Sequence, residues 1–211
     1  MKPKLSFSFK AIAFSRVPGL DEVFHGEEED KVSLRLPTRN FSAEAVYEGK
    51  NPVTFYGRRT NADGEIEYVP VAAVTAPKEW KKILLIFLPA SRQEAISTGR
   101  RFQILAVDGA LAQFRGGGRH FVNVSTTDVA AAIGDQKLLI PAGASATFAP
   151  KIQGDPSVRV PVQFHYRQDS QWRLLSSTRW SLDSRLRTLI FIFEDPRRKR
   201  LALRGVSERV L

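Results

Sequence analysis

Short apolar runs interrupted at every second residue recur along this chain, and they recur twice in the same order. "AIAFS" (11–15) lines up with "FVNVS" (121–125), "VSLRLP" (32–37) with "QKLLIP" (136–141), and "PVTF" (52–55) with "PVQF" (161–164). "KILLIF" (82–87) follows with "RTLIFI" (187–192), and "RFQIL" (101–105) with "KRLAL" (199–203), all at offsets between 98 and 110 residues. One such match carries little, but five in one order indicate an internal duplication. The units repeated are strands. Val32, Leu34 and Leu36 alternate with polar residues, the period of a strand with one buried face. "KILLIFLP" (82–89) is continuously apolar, as suits a central strand covered on both faces. Asp63-Gly64 between two such runs tolerates the positive φ of a tight hairpin turn.

The expectation is an all-β chain of two tandem immunoglobulin-like β-sandwich modules of about seven strands each. Module 1 covers 1–108 and module 2 covers 119–211, with 109–118 between them as a linker because it carries the glycine run "RGGG". Helix signals are thin. Residues 19–30 and 89–100 could each hold a turn or two, with His25 in an acidic loop. "STTDVAAAIGD" (125–135) has helix formers behind a Ser/Thr cap, but its place in the repeat favours a strand or loop.

A chain of 211 residues is long enough for two cores. It contains no cysteine, which excludes disulfides, thiolate metal ligands and cysteine nucleophiles. No run approaches the 18–20 apolar residues of a spanning helix. The start, "MKPKLSFSFKAIAFSR", is basic, but Lys10 interrupts its apolar stretch and no small-residue cleavage site follows. An exported form is therefore expected to have lost a signal ahead of Met1. The net charge of +10 is uneven: residues 1–108 carry 16 Lys/Arg against 14 Asp/Glu, and residues 109–211 carry 16 against 8. A basic half fits either an anionic partner or an arginine-rich exposed sheet.

Signals for catalysis are sparse. The three histidines, His25, His120 and His165, lack the close spacing of a preformed metal site. "HGEEED" (25–30) lacks the alternating oxygens of a calcium loop and reads as a solvated acidic loop. There is no G-x-S-x-G elbow. "RGGGR" (115–119) could form a backbone anion nest between two arginines, but it lacks the Lys-Ser/Thr of a P-loop and reads first as linker. The reading is non-enzymatic, with no cofactor and no metal.

The surface candidates are basic residues beside aromatics: Arg167, Trp172, Arg173, Arg179 and Trp180, where rings next to guanidinium groups could stack on a base or a sugar. The same pattern also describes cross-strand packing. Arg197, Arg198, Lys199 and Arg200 form the densest cationic cluster. Asp195-Pro196 ahead of them is a turn signal, so the cluster reads first as a β-turn and second as a polyanion contact.

Residues Phe121, Val122, Asn123 and Ser125, with Gly134-Asp135 and then Leu139, Pro141 and Gly143, make a pattern F-V-N-x-S, G-D, L-x-P-x-G. The run 119–150 that carries it resembles a unit of uncharacterised exported bacterial tandem β-sandwich proteins. The wider chain, including "SSTRW" and "GVSER", resembles envelope proteins of the planctomycete–verrucomicrobial type. The resemblance implies fold and export and carries no chemistry; module 1 departs from the unit in lacking the Asn. The resulting expectation is a periplasmic or secreted adaptor that binds a protein partner or an anionic envelope polymer through module 2. A cytoplasmic nucleic-acid-binding protein and a carbohydrate-binding module are the alternatives.

Overall fold

The computed structural model describes residues 5–27, 30–150 and 157–210, and the chain divides into two units, Met1–Ala110 and Leu111–Leu211. In the first unit the strands are β1 (Leu5–Ala13), β2 (Glu22–His25), β3 (Val32–Arg35), β4 (Ala45–Gly49), β5 (Val53–Thr60), β6 (Ile66–Val74), β7 (Lys82–Pro89) and β8 (Phe102–Asp108). One short helix, α1 (Arg92–Thr98), lies between β7 and β8. The second unit holds β9 (Arg119–Asn123), β10 (Val129–Ile133), β11 (Gln136–Ile140), β12 (Ser145–Phe148), β13 (Ser157–Gln168), β14 (Gln171–Asp183), β15 (Leu186–Asp195) and β16 (Arg200–Arg209).

Each unit is a sandwich of two four-stranded sheets. The first has orders β4-β1-β7-β8 and β3-β2-β5-β6, and the second has β12-β9-β15-β16 and β11-β10-β13-β14. The two units therefore match strand for strand. Eight strands stand in each where about seven were expected. The two-sheet architecture is immunoglobulin-like, while the order is its own, with the first strand parallel to the seventh in both units.

The duplication extends to register. Ala13 lies opposite Phe87 and Asn123 opposite Ile192, which reproduces the alignment of β1 with β9 and of β7 with β15. The pairing shifts after Phe55 in one unit and after Phe164 in the other, the same place in both copies. The match of "RFQIL" with "KRLAL" is one residue out. Phe87 faces Ile104 and Ile192 faces Leu203, so Ile104 corresponds to Leu203 and not to Ala202. A slip of one residue would exchange the faces of the whole strand.

Alternation in the sequence becomes burial. In β1, Phe7, Phe9 and Ala11 are buried, while Ser6, Ser8 and Lys10 face outward or are half-buried. The first core is threaded by edge-on rings, with Phe55 against Phe87 at 5.1 Å and Phe87 against Phe102 at 5.5 Å between centroids. Such aromatic pairs add about 0.5–1.5 kcal/mol beyond their buried area. In the second core, Phe121, Phe164 and Trp180 meet at 5.5–6.4 Å. Residues Ile83–Phe87 and Leu189–Ile192 are all buried, as their unbroken apolar runs require.

One local expectation changes. The segment 19–30 contains strand β2, so His25 is a buried strand residue and not part of an acidic loop; its ring packs against Phe9, Tyr47 and Phe55. Glu28 and Glu29 of that loop, and Asp155 in the second unit, lie outside the described residues. The segment 125–135 contains a strand, β10, as its place in the repeat favoured, and 89–100 holds its two turns as α1, which Ser91 caps by accepting from the Glu94 N–H and Gly99 closes at φ +71°.

The expected linker 109–118 is divided between the units. Gly109 donates to the Lys82 carbonyl of the first. Phe114 is buried, its carbonyl accepts from Arg187, and Gly117 donates to the Leu186 carbonyl of the second. The glycines are packing positions, since a Cβ on Gly116 would collide with the Ser184 carbonyl oxygen.

Asn123 and Ser125, which carry the resemblance, are buried and tie a loop. The Asn123 amide donates to the carbonyls of Thr127, Ile140 and Pro141, and its oxygen accepts from the Ser125 N–H and hydroxyl. Ala13 stands at this place in the first unit, where its N–H donates to the Pro37 carbonyl.

Candidate functional site

The residues singled out from the sequence occupy three places in the second unit. The first is the end of the β13–β14 hairpin. Asp169 and Ser170 both take positive φ, +49° and +64°, as a two-residue turn matched to strand twist requires. Arg167 lies opposite Trp172 and His165 opposite Leu174. Ala130 lies opposite both His165 and Leu139, so Leu139, Ala130, His165 and Leu174 form one row across the sheet. Leu139, Leu174 and Trp172 are 57%, 56% and 46% exposed. Arg173 lies opposite Tyr166 and forms an exposed 4.0 Å ion pair with Asp169.

The first unit repeats this pairing with a second ring added. Arg58 lies opposite Tyr68 there, in the places of Arg167 and Trp172. Between them sits Phe24, in edge contact with Tyr68 at 5.1 Å and beneath the Arg58 guanidinium at 5.6 Å. Ala130 stands in the second unit where Phe24 stands in the first, and Trp172 remains exposed.

The second place is the turn between β15 and β16, and it explains the run "DPRRKR". Asp195 accepts from the backbone N–H groups of Arg197 and Arg198, while its carbonyl accepts from the Lys199 N–H. Those backbone donors, with the Arg198 charge behind them, hold the Asp195 carboxyl below the usual range. Lys199 closes the turn at φ +49° and Arg200 begins β16. Asp195 is therefore engaged with the turn's own backbone, and the four cations are exposed. The turn and the hairpin end flank one loop: Thr126 donates to Glu194, and the Asp128 carbonyl accepts from the Arg167 N–H.

The third place is a lateral groove of about 430 Å³ where β14 and β16 leave the sandwich open, lined by Arg119, Arg179, Trp180, Ser181, Thr188, Ile190, Leu203, Gly205 and Ser207. Arg179 and Trp180 meet here, away from the other candidates. Trp180 also belongs to the core, against Phe121 and Phe164, with Arg119 5.8 Å above its ring.

Thr188, Gly205 and Ser207 were not singled out from the sequence, and Arg119 entered only as the end of "RGGGR". Register shows what they replace: Phe9 and Ile83 lie opposite each other in the first unit where Arg119 and Thr188 do in the second. By the same correspondence Gly205 and Ser207 stand in the places of Ala106 and Asp108. An arginine standing where the other copy has a core phenylalanine is the one signal an alignment of the halves could have provided. Burial lowers the Arg119 pKa; the guanidinium donates to the Gly117, Gly118 and Ser181 carbonyls.

The first unit has a larger open groove, about 950 Å³, whose lining includes Arg16, Asp21, Arg35, Arg39 and Glu44. Arg16 and Asp21 pair at 3.0 Å. His120 is buried beside Phe114 with Nδ1 2.7 Å from the Thr147 hydroxyl, and burial pushes its pKa down to about 4. Among the described residues no three His, Asp or Glu side chains gather as metal ligands would, and no helix is long and apolar enough to cross a membrane. No protein-family model matches this chain, and no curated protein is similar to it.

Proposed function

We propose that this chain is a non-enzymatic binding protein, an adaptor of the bacterial envelope, whose second unit holds an anionic partner through its basic, aromatic-bearing surface. The observation that supports the reading most is the chemistry of the lateral groove: two arginines and a tryptophan line it, and among the described residues no carboxylate does. The second unit's charge excess adds a long-range attraction for a negative polymer. The exposed pair Arg167–Trp172 and the turn Arg197–Arg200 add further positive and aromatic surface to the same unit, apart from the groove.

The test is titration of the full chain with an anionic polysaccharide and with duplex DNA across a salt series, together with fractionation of native cells. Saturable binding of the polysaccharide by a protein found in the envelope fraction is the expected result. Duplex DNA bound more tightly by a cytosolic protein would replace this reading with the nucleic-acid alternative. Absence of binding to either polymer at low salt would end both.

A further inference from the structure

The lateral groove is a place where the two copies of the fold differ in chemistry, with Arg119 and Thr188 for Phe9 and Ile83, and we infer that it binds the carboxylate-bearing sugar of an acidic polysaccharide, a uronic acid unit. The inference rests on the binding reading above and names its site and ligand class.

Four features of the lining point this way. Arg119 is a buried cation that donates to three neutral carbonyls, and among the described residues no ion pair includes it. A desolvated charge with only neutral partners favours an incoming anion. Exposed Arg179 supplies a second cation on the groove. Thr188 and Ser207 share one hydrogen bond, Oγ1 to Oγ at 2.8 Å; two hydroxyls so paired keep one O–H to donate outward. Trp180, half-buried, adds an aromatic surface of the kind on which sugar rings pack. Cations for a carboxylate, hydroxyls for ring hydroxyls and an aromatic wall together match a uronic acid.

An acidic peptide is the competing occupant, and the groove disfavours it. An added strand needs free backbone acceptors on β14, but the Ser181 carbonyl there already accepts from Arg119. Space comes from Gly205, whose missing Cβ would only just touch the Thr188 methyl at 3.4 Å. The volume of about 430 Å³ lies within the range of small-ligand sites.

The experiment is an NMR titration of the full-length, ¹⁵N-labelled chain with trigalacturonate, with its methyl ester as the uncharged control and a Glu-rich peptide as the competing occupant. Trigalacturonate should shift the Trp180 indole and the Gly205 and Ser207 amides, and the methyl ester should not. Arg179→Ser should weaken binding by about tenfold, as loss of a charge-assisted contact does, and Gly205→Leu should abolish it by filling the groove. If Gly205→Leu disturbs the spectrum at large, Arg179→Ser at its exposed position decides. Shifts confined to residues 196–200 or to the hairpin end, or binding untouched by Arg179→Ser, would overturn the groove site and leave the binding protein intact. The peptide shifting the groove while trigalacturonate does not would overturn the ligand class. Failure of every anion, polymers included, would remove the underlying function as well.

Discussion

At the scale of single residues, the second unit places polar groups in its interior, and Asn123 is the one most fully tied to its neighbours. Asn123 engages five partners through one amide. Asn123→Ala should lower the unfolding free energy by about 2–4 kcal/mol, since several buried groups lose their partners at once. Ser125→Ala should cost less, and urea denaturation checks both. Buried His120 sets an acid limit. Its folded pKa, about 4 against an ordinary 6.5, is depressed, so below pH 6.5 the unfolded chain takes up a proton that the folded chain refuses. Stability should be intact above pH 7, fall by about 3 kcal/mol as pH drops from 6.5 to 4, and then level off. His25, also lowered by burial, acts in the same direction. Melting temperature against pH should be flatter for His120→Gln.

At the scale of elements, turns and packed loops are specified by backbone chemistry and not by side-chain charge. The β15–β16 turn depends on Asp195 accepting from two backbone N–H groups. Asp195→Ala should therefore lower the thermal midpoint, while replacing Arg197, Arg198 and Arg200 by Ser should leave it nearly unchanged; differential scanning fluorimetry distinguishes the two. The segment before β9 behaves in the opposite way to a flexible connector. Gly116→Ala would drive a methyl into the Ser184 carbonyl, and a cost of about 3 kcal/mol or more is expected, consistent with a forced backbone shift. Composition concealed this because glycine marks a flexible linker and a close backbone approach equally well. Strand β2 was missed for a related reason: only four residues long, it is flanked by acidic and glycine residues that read as a loop.

At the scale of the whole molecule, two copies of one topology have divided their chemistry. The first closes its core with Phe9 and Ile83 where the second has Arg119 and Thr188, and it seats Phe24 between Arg58 and Tyr68 where the second has Ala130. Polyanion binding by the full chain should accordingly weaken with salt, as counterion release is lost. The Arg197, Arg198, Arg200→Ser variant should flatten the slope by about one unit for each contact removed. Filter binding at four salt concentrations measures both. An unchanged slope would leave the turn as structure alone.

The sequence by itself determined the all-β class, the duplication and most of the core. Period-two alternation assigns each side chain to a face, and a face needs no knowledge of distant residues. The candidate residues Arg167, Trp172, Arg173, Arg179 and Trp180 were legible as basic and aromatic, and the turn at Arg197–Arg200 was legible from Asp195-Pro196. Only the tertiary structure decided which of them meet. It sent Trp180 into the core and Trp172 to the surface, and it brought Arg119, Thr188 and Gly205 together from β9, β15 and β16. Those three lie far apart in the chain and become neighbours because strand order, a long-range property, leaves β14 and β16 as facing edges.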